Sequence, residues 1–376
     1  MKKLRVGMIG GGGPQNFFGG VHRRALHLDG TRELVAGALR RTKESSLAAA
    51  VELGITGYGD YMELVNSGEE LDYIVITTTN DAHFAPAKAC LEKGIPVLCE
   101  KPVTLTVKEA VELAGIVKKK KVPFILAHTY TGHPMMMLAR EMVINGEIGE
   151  VRKIESWYNQ GWLADNIEKS GAKQAEWRVD PERAGLSCCG GDIGTHAHMA
   201  ARWVTGLETV RVSARLNTFV KGRKLDDDFN AICEMNNGAT ALITATQIAI
   251  GYKNDNGFKI YGTKGSLEWA QERSGCLTVK FGREDKVYWI GAGYDYFPAS
   301  IKPYLRLPAG HFEDFLEALA NLHLTMEFTV RKAKGEKNIP KAYPHPSAGD
   351  GLAGMKFIAA AVKSSGEKGA WVKIPG

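Results

Sequence analysis

No apolar run in the sequence approaches the roughly 18 consecutive residues that a membrane-spanning helix needs, so a helical membrane protein is not expected. The start of the chain has no apolar signal region, and no internal repeat or low-complexity segment stands out; a cytoplasmic protein is expected. Cysteine is scarce. The six present, Cys90, Cys99, Cys188, Cys189, Cys233 and Cys276, form no Cys-x-x-Cys pair and no metal spacing with histidine, so reduced thiols and no metal site are expected. Concentrated positive charge is nearly absent as well. Lys and Arg number 48 against 42 Asp and Glu, and the net +6 is spread along the chain. The one dense basic run, Lys118-Lys119-Lys120-Lys121, lies between apolar patterns and reads as a solvated helix end, which argues against a nucleic-acid partner.

What is present is a soluble, globular composition, 44% hydrophobic and 24% charged. At 376 residues the chain exceeds the size at which one core stops growing, so two domains are expected. In the first, Leu4-Arg5-Val6-Gly7-Met8-Ile9 reads as a buried strand running into Gly10-Gly11-Gly12-Gly13, a loop whose backbone N–H groups can approach a pyrophosphate at the start of a helix. The usual third glycine is late. Pro14-Gln15-Asn16-Phe17-Phe18 intervenes before Gly19-Gly20, and the helix is expected to begin near Val21 and His22. A second strand, 34–39, ends at Arg40 and Arg41, where an NAD-specific site commonly has an acid; these arginines suit a 2′-phosphate or are plain solvated turn residues. A helix follows over 43–53. Strand 71–76 ends in Thr77-Thr78-Thr79-Asn80-Asp81-Ala82-His83, polar groups for ribose and nicotinamide or a helix cap. After a helix over 85–93, strand 95–99 stops at Glu100-Lys101-Pro102. Proline constrains the residue before it, so the backbone would aim Lys101 across the carboxyl end of the sheet towards a cofactor, or the lysine merely caps the strand end in solvent. A helix over 106–120 and a strand over 123–127 complete a parallel sheet with helices on both faces.

From residue 128 the pattern changes. A helix over 135–145 and a strand from 151 precede strands expected at 210–216, 229–235, 239–250, 257–262, 266–269 and 277–281, separated by turns such as Asn236-Asn237-Gly238. They describe a large open, mostly antiparallel sheet, finished by helices over 311–323 and 350–364. An irregular stretch holds Trp157, Gln160, Trp162, Lys173, Glu176, Trp177 and Arg178; it suits a sugar ring, apolar on its C–H face and hydroxylated at its rim, or packs between subunits. In Gly190-Gly191-Asp192-Ile193-Gly194-Thr195-His196-Ala197-His198, Asp192 and His196 would share one helix face and could reach one substrate, or Asp192 caps the helix after two glycines and His196 is a satisfied core histidine; His198 points elsewhere.

Together, Gly10-x-Gly12, Asn80-Asp81-x-His83, Glu100-Lys101-Pro102 and Asp192-x-x-x-His196 resemble the Gfo/Idh/MocA family of glucose-fructose oxidoreductase and inositol dehydrogenase, over essentially the whole chain. The resemblance implies an α/β protein: a Rossmann domain over 1–127, and a substrate-binding and oligomerising α+β domain over 128–376. It implies Lys101 and His196 as catalytic residues, with Asp192 as their substrate-binding neighbour, and NAD or NADP as cofactor, either released each cycle or tightly held. Cofactor-binding residues are expected at Gly10, Gly12, Gly13, Phe17, Phe18, Arg40, Thr78, Asn80, His83, Glu100 and Lys101. Substrate-binding residues are expected at Lys101, Tyr130, Trp162, Trp177, Arg178, Asp192 and His196. The implied activity is hydride transfer between nicotinamide and a ring hydroxyl of a sugar, glycoside or anhydrosugar. Inositol is the alternative substrate, and a non-catalytic dinucleotide-binding regulator the alternative class. The lengthened glycine loop, Thr79 in place of a common proline, and the missing acid after Leu39 depart from the family's pattern.

Overall fold

The computed structural model describes residues 2–13 and 17–376. By contacts the chain divides into two units, 1–132 with 315–352, and 133–314 with 353–376. This division differs from a single cut near residue 127, because a segment late in the sequence packs with the first unit.

The first unit carries β1 (Leu4–Gly10), α1 (Phe17–His27), β2 (Arg32–Ala38), α2 (Lys43–Leu53), β3 (Thr56–Gly57), α3 (Tyr61–Asn66), β4 (Tyr73–Thr77), α4 (Phe84–Glu92), β5 (Val97–Glu100), α5 (Val107–Lys120) and β6 (Phe124–Ala127). Among the described residues six strands form one sheet in the order β3-β2-β1-β4-β5-β6, all parallel. The order reverses between β1 and β4, the switch point beyond which such sheets bind ligands. β4 and β5 are buried along their length, as strands covered on both faces must be. Helix α1 starts at Phe17, about a turn earlier than the sequence pattern suggests, because Gly19 and Gly20 are helical instead of loop.

The second unit begins with α6 (Pro134–Ile144) and β7 (Val151–Asn159), passes through the single-turn helices α7 (Lys173–Glu176) and α8 (Pro181–Ala184), and enters α9 (Thr195–Thr205) by a wide π turn at Gly190–Gly194. Strands β8 (Thr209–Asn217), β9 (Asp228–Met235), β10 (Thr240–Thr246), β11 (Asp255–Gly262), β12 (Ser266–Ala270), β13 (Cys276–Phe281) and β14 (Glu284–Trp289) follow; helix α10 (Phe315–Ala333) then belongs to the first unit, as does the start of α11 (Ala348–Gly366), whose remainder and strand β15 (Val372–Lys373) belong to the second. The nine-stranded sheet runs β14-β13-β12-β11-β7-β10-β9-β8-β15, antiparallel except where β10 lies parallel to β7.

Besides α1 and the short elements β3, α3, α7, α8 and β15, which the sequence pattern does not predict, three elements depart from expectation. β10 stops at Thr246 instead of running to 250, because from Gln247 the backbone pairs with the loop after β7: Leu163 N–H donates to Gln247 O and Ala249 N–H to Gln160 O. β14 has no alternating apolar signature because it is almost wholly exposed along its length. Helix α10 begins at Phe315 and runs ten residues beyond 323. Its β-branched second half is a modest helix former, yet Met326 and Val330 join Leu319 and Leu322 in the core that α1, β1, β4 and β5 build, and that burial outweighs propensity. Glu327 secures the same stretch, accepting from Arg32 Nη1 at 2.6 Å and Arg331 Nε at 2.7 Å.

Candidate active site

At the carboxyl end of the parallel sheet, β1 turns through Gly10 and Gly11, both at positive φ (81° and 79°). A Cβ on Gly10 would lie 2.8 Å from Thr78 Cγ2, one on Gly12 would overlap Leu39, and one on Gly19 would overlap Gly11. Gly19 therefore supplies the close helix–loop crossing that the third glycine of a dinucleotide loop provides, though it stands late in the sequence. Pro14, Gln15 and Asn16, the heart of the apparent insertion, lie outside the described residues. Gly13 is half-buried; Phe17 is exposed at the first position of α1, edge-on to Phe18 and stacked with Phe315. Arg40 donates from Nε to Gly12 O at 2.8 Å, and Arg41 is exposed.

After β4, Thr78 Oγ1 donates to Ala82 O at 2.8 Å and buried Asn80 opens a short 3-10 turn. His83 is buried, with Nδ1 2.7 Å from Pro102 O and Nε2 3.2 Å from Thr78 O, so it clasps the loops that follow β4 and β5. Burial holds it below the usual histidine range, with the two carbonyl contacts opposing in part. Glu100 ends β5 and takes the Lys101 backbone N–H on Oε2 at 3.2 Å; the Lys101–Pro102 peptide is cis, and the Lys101 side chain is half-buried. Tyr130 is buried edge-on to Phe315.

In the second unit, Asp192 sits in the π turn and His196 in the first turn of α9, both half-buried. Asp192 does not cap the helix. Its Oδ2 accepts from Arg178 Nε and from Gln247 Nε2, each at 3.0 Å. The Arg178 guanidinium lies 4.2 Å from the Trp177 ring centre and 5.5 Å from that of Trp162, within cation–π reach of both, and its Nη1 donates to Gln174. His196 faces Tyr158, ring centres 5.8 Å apart. Trp157 belongs elsewhere, donating to Asp255 Oδ1 at 2.8 Å, while Lys173 and Glu176 are exposed. His198 lies flat on Phe357 in the core.

Residues 4–128 match the oxidoreductase family with an NAD-binding Rossmann fold, and residues 136–268 match the GFO/IDH/MocA C-terminal domain. The chain belongs to the Gfo/Idh/MocA family. The crystal structure of an oxidoreductase from Sinorhizobium meliloti is 36% identical, with TM-score 0.87, covering 99% of this chain and 100% of that one. An inositol dehydrogenase homologue from Azotobacter vinelandii, complexed with NAD+, is 28% identical at TM-score 0.91, covering 99% and 97%. Levoglucosan dehydrogenase of Pseudarthrobacter phenanthrenivorans is 27% identical over 100% of this chain and 99% of its own length.

The cradle of this Gfo/Idh/MocA chain fits its cofactor. Gly10, Gly12 and Gly19 allow the loop to pass Thr78, Leu39 and α1 more closely than Cβ atoms would, the tight strand–loop–helix crossing a dinucleotide loop needs, and the 11-residue α1 has no acid in its first turn to repel phosphate. Sequence reasoning misses Gln247, Gln174 and Cys188, whose thiol donates to Gln247 Oε1 at 3.3 Å. A single glutamine carries no local pattern; a strand expected to run through 247 hides the one signal, that the chain leaves the sheet there.

Proposed function

We propose that this NAD-dependent oxidoreductase acts on a ring hydroxyl of a sugar-like polyol, foremost a glycoside or anhydrosugar, at the 3-position, with inositol as the second candidate. The observation that carries this reading is the Asp192 carboxylate held by Arg178 and Gln247 beside the indole rings of Trp162 and Trp177. A carboxylate accepts hydroxyl hydrogen bonds, and indole faces take the C–H face of a ring. Relatives named levoglucosan dehydrogenase and inositol dehydrogenase homologue agree with a cyclic polyol.

When bound, nicotinamide supplies the hydride acceptor. His196 takes the hydroxyl proton, since imidazole exchanges protons near neutrality. Lys101 donates hydrogen bonds to the developing alkoxide, and Asp192 fixes a neighbouring hydroxyl. A cytoplasmic homo-oligomer assembled through the nine-stranded sheet completes the proposal; Ile232 on β9 and Val287 and Trp289 on β14 are 46%, 45% and 45% exposed.

The test follows reduced nicotinamide with levoglucosan, methyl glucosides, glucose, and myo- and scyllo-inositol. Wild type should prefer a glycoside or anhydrosugar, and Trp162→Ala should lower kcat/KM unequally across the panel. An inositol preferred tenfold, about 1.4 kcal/mol of transition-state binding, would overturn the glycoside choice. An equal effect of Trp162→Ala on every substrate would remove the loop from ring recognition.

A further inference from the structure

A chain of buried polar side chains runs through the first unit to Lys101. Tyr73 Oη on β4 is 2.8 Å from Nδ1 of His323 on α10. His323 Nε2 is 3.0 Å from Nδ1 of His22 on α1, and His22 Nε2 is 2.8 Å from Glu100 Oε1 at the end of β5. The other Glu100 oxygen holds the Lys101 backbone N–H. Tyr73, His323 and His22 are 0% exposed and Glu100 is 7% exposed.

Hydrogen-bond chemistry gives this chain a direction. A carboxylate accepts only, so His22 donates through Nε2; with a neutral His22 ring its Nδ1 accepts from His323 Nε2–H, and His323 Nδ1 accepts from the Tyr73 hydroxyl. Each link has one donor and one acceptor, with nothing left over. Burial keeps His323 well below the usual histidine range and the Tyr73 phenol above its own, which favours the uncharged forms this order requires. Four polar side chains from four elements occupy positions where apolar ones would bury without a partner requirement, and the chain they form ends one residue before the proposed catalytic lysine. The Tyr73 ring packs in a core whose other members, Val75, Leu98, Leu319 and Leu322 among them, are apolar and offer its hydroxyl no partner.

We infer that Tyr73, His323, His22 and Glu100 are positioning residues for Lys101: the relay fixes the Glu100 carboxylate, and the carboxylate fixes the backbone from which Lys101 is aimed. This rests on the reading of Lys101 as a catalytic residue. The relay does not touch substrate and acts only through Glu100.

The experiment measures kcat, polyol KM, NAD affinity by titration, and thermal midpoint for His22→Phe, His22→Gln, His323→Phe and Lys101→Ala. His22→Phe and His323→Phe should lower kcat by about tenfold or more, the scale of a small misplacement of a reacting group, with NAD affinity within about twofold of wild type. His22→Gln, which restores an N–H towards Glu100, should recover most of that loss. If His22→Phe folds poorly, His22→Gln and the kcat per NAD-binding site of the folded fraction still decide. Wild-type kcat per site in both phenylalanine variants, or no recovery in His22→Gln, overturns the relay. Turnover by Lys101→Ala at the wild-type rate instead overturns the reading of Lys101, independently of the relay variants.

Discussion

Arg178 Nε and Asp192 Oδ2 are 3.0 Å apart, and the same guanidinium rests on Trp177 and Trp162. The carboxylate proposed to hold substrate is thus aimed by a side chain whose own plane is set by two indoles. Asp192 owes its direction to the aromatic loop, and substitutions in that loop should be felt at the carboxylate.

Arg178→Lys keeps the charge but loses the planar fork and the stacking surface, so it should behave as a real loss. The expected result is a rise in polyol KM of about tenfold, close to the 1.4 kcal/mol that a single charge-assisted hydrogen bond contributes, with NAD affinity unchanged. Gln247→Leu, which removes the second donor to the same oxygen, should act in the same direction. Steady-state kinetics with separate NAD titrations check both; a lower NAD affinity with unaltered polyol KM would detach Arg178 from substrate binding.

Gly19 and Gly20 are adjacent and should respond oppositely to alanine. At Gly19 a Cβ would overlap the Gly11 backbone, which cannot move aside, so Gly19→Ala should destabilise the fold by about 1–3 kcal/mol and weaken NAD binding. At Gly20 the nearest atom is the far end of Arg23, 3.8 Å away, so Gly20→Ala should stabilise helix α1 by about 0.5–1 kcal/mol. Denaturant titrations of both variants give the comparison, and equal shifts would show that the crossing is not tight.

How far the sequence reveals this molecule depends on the range of each signal. Strands such as β4 and β5 are legible because burial on both faces leaves a continuous apolar run, and Lys101, Asp192 and His196 stand out because each lies in a short local pattern. The relay does not: His22 and His323 are 301 residues apart, and either alone reads as an ordinary core histidine. Gln247 meets Asp192 from 55 residues away for the same reason. The return of α10 to the first unit is likewise a tertiary event, carried by Met326 and Val330 against a core assembled earlier in the chain.

Arg40 follows β2 where an acid would bind the ribose hydroxyls of NAD, and its Nε is held by Gly12 O. The guanidinium is therefore anchored beside the glycine loop, and a 2′-phosphate suits it better than a neutral ribose. Arg40→Ala should weaken NADP binding at least about tenfold more than NAD binding, the loss of one phosphate–guanidinium pair. Titration of both nucleotides into both proteins measures the difference. Equal losses would assign Arg40 to loop support alone.

His133 caps α6 from inside the second unit and should make stability fall with acid. Its Nδ1 accepts from Met135 N–H at 3.2 Å and its Nε2 donates to Glu313 O at 3.2 Å, so the neutral ring satisfies both partners and a second proton would meet a donor. Burial lowers its pKa to about 4, with the Glu313 carbonyl opposing. An unfolded histidine titrates near 6.5, so between pH 6.5 and about 4 the unfolded chain binds a proton that the folded chain refuses. The sign is fixed: His133 costs nothing above that window, and stability drains away as pH falls through it. His133→Asn keeps an oxygen able to accept from Met135 N–H and removes the titration. Wild type should therefore lose stability more steeply than His133→Asn across pH 6 to 4.5, by roughly 1 kcal/mol per pH unit. The other histidines, buried ones such as His83 and His323 included, are common to both proteins and cancel in the difference. Denaturant titrations at four pH values suffice, and parallel curves would mean that His133 is protonated in the folded protein.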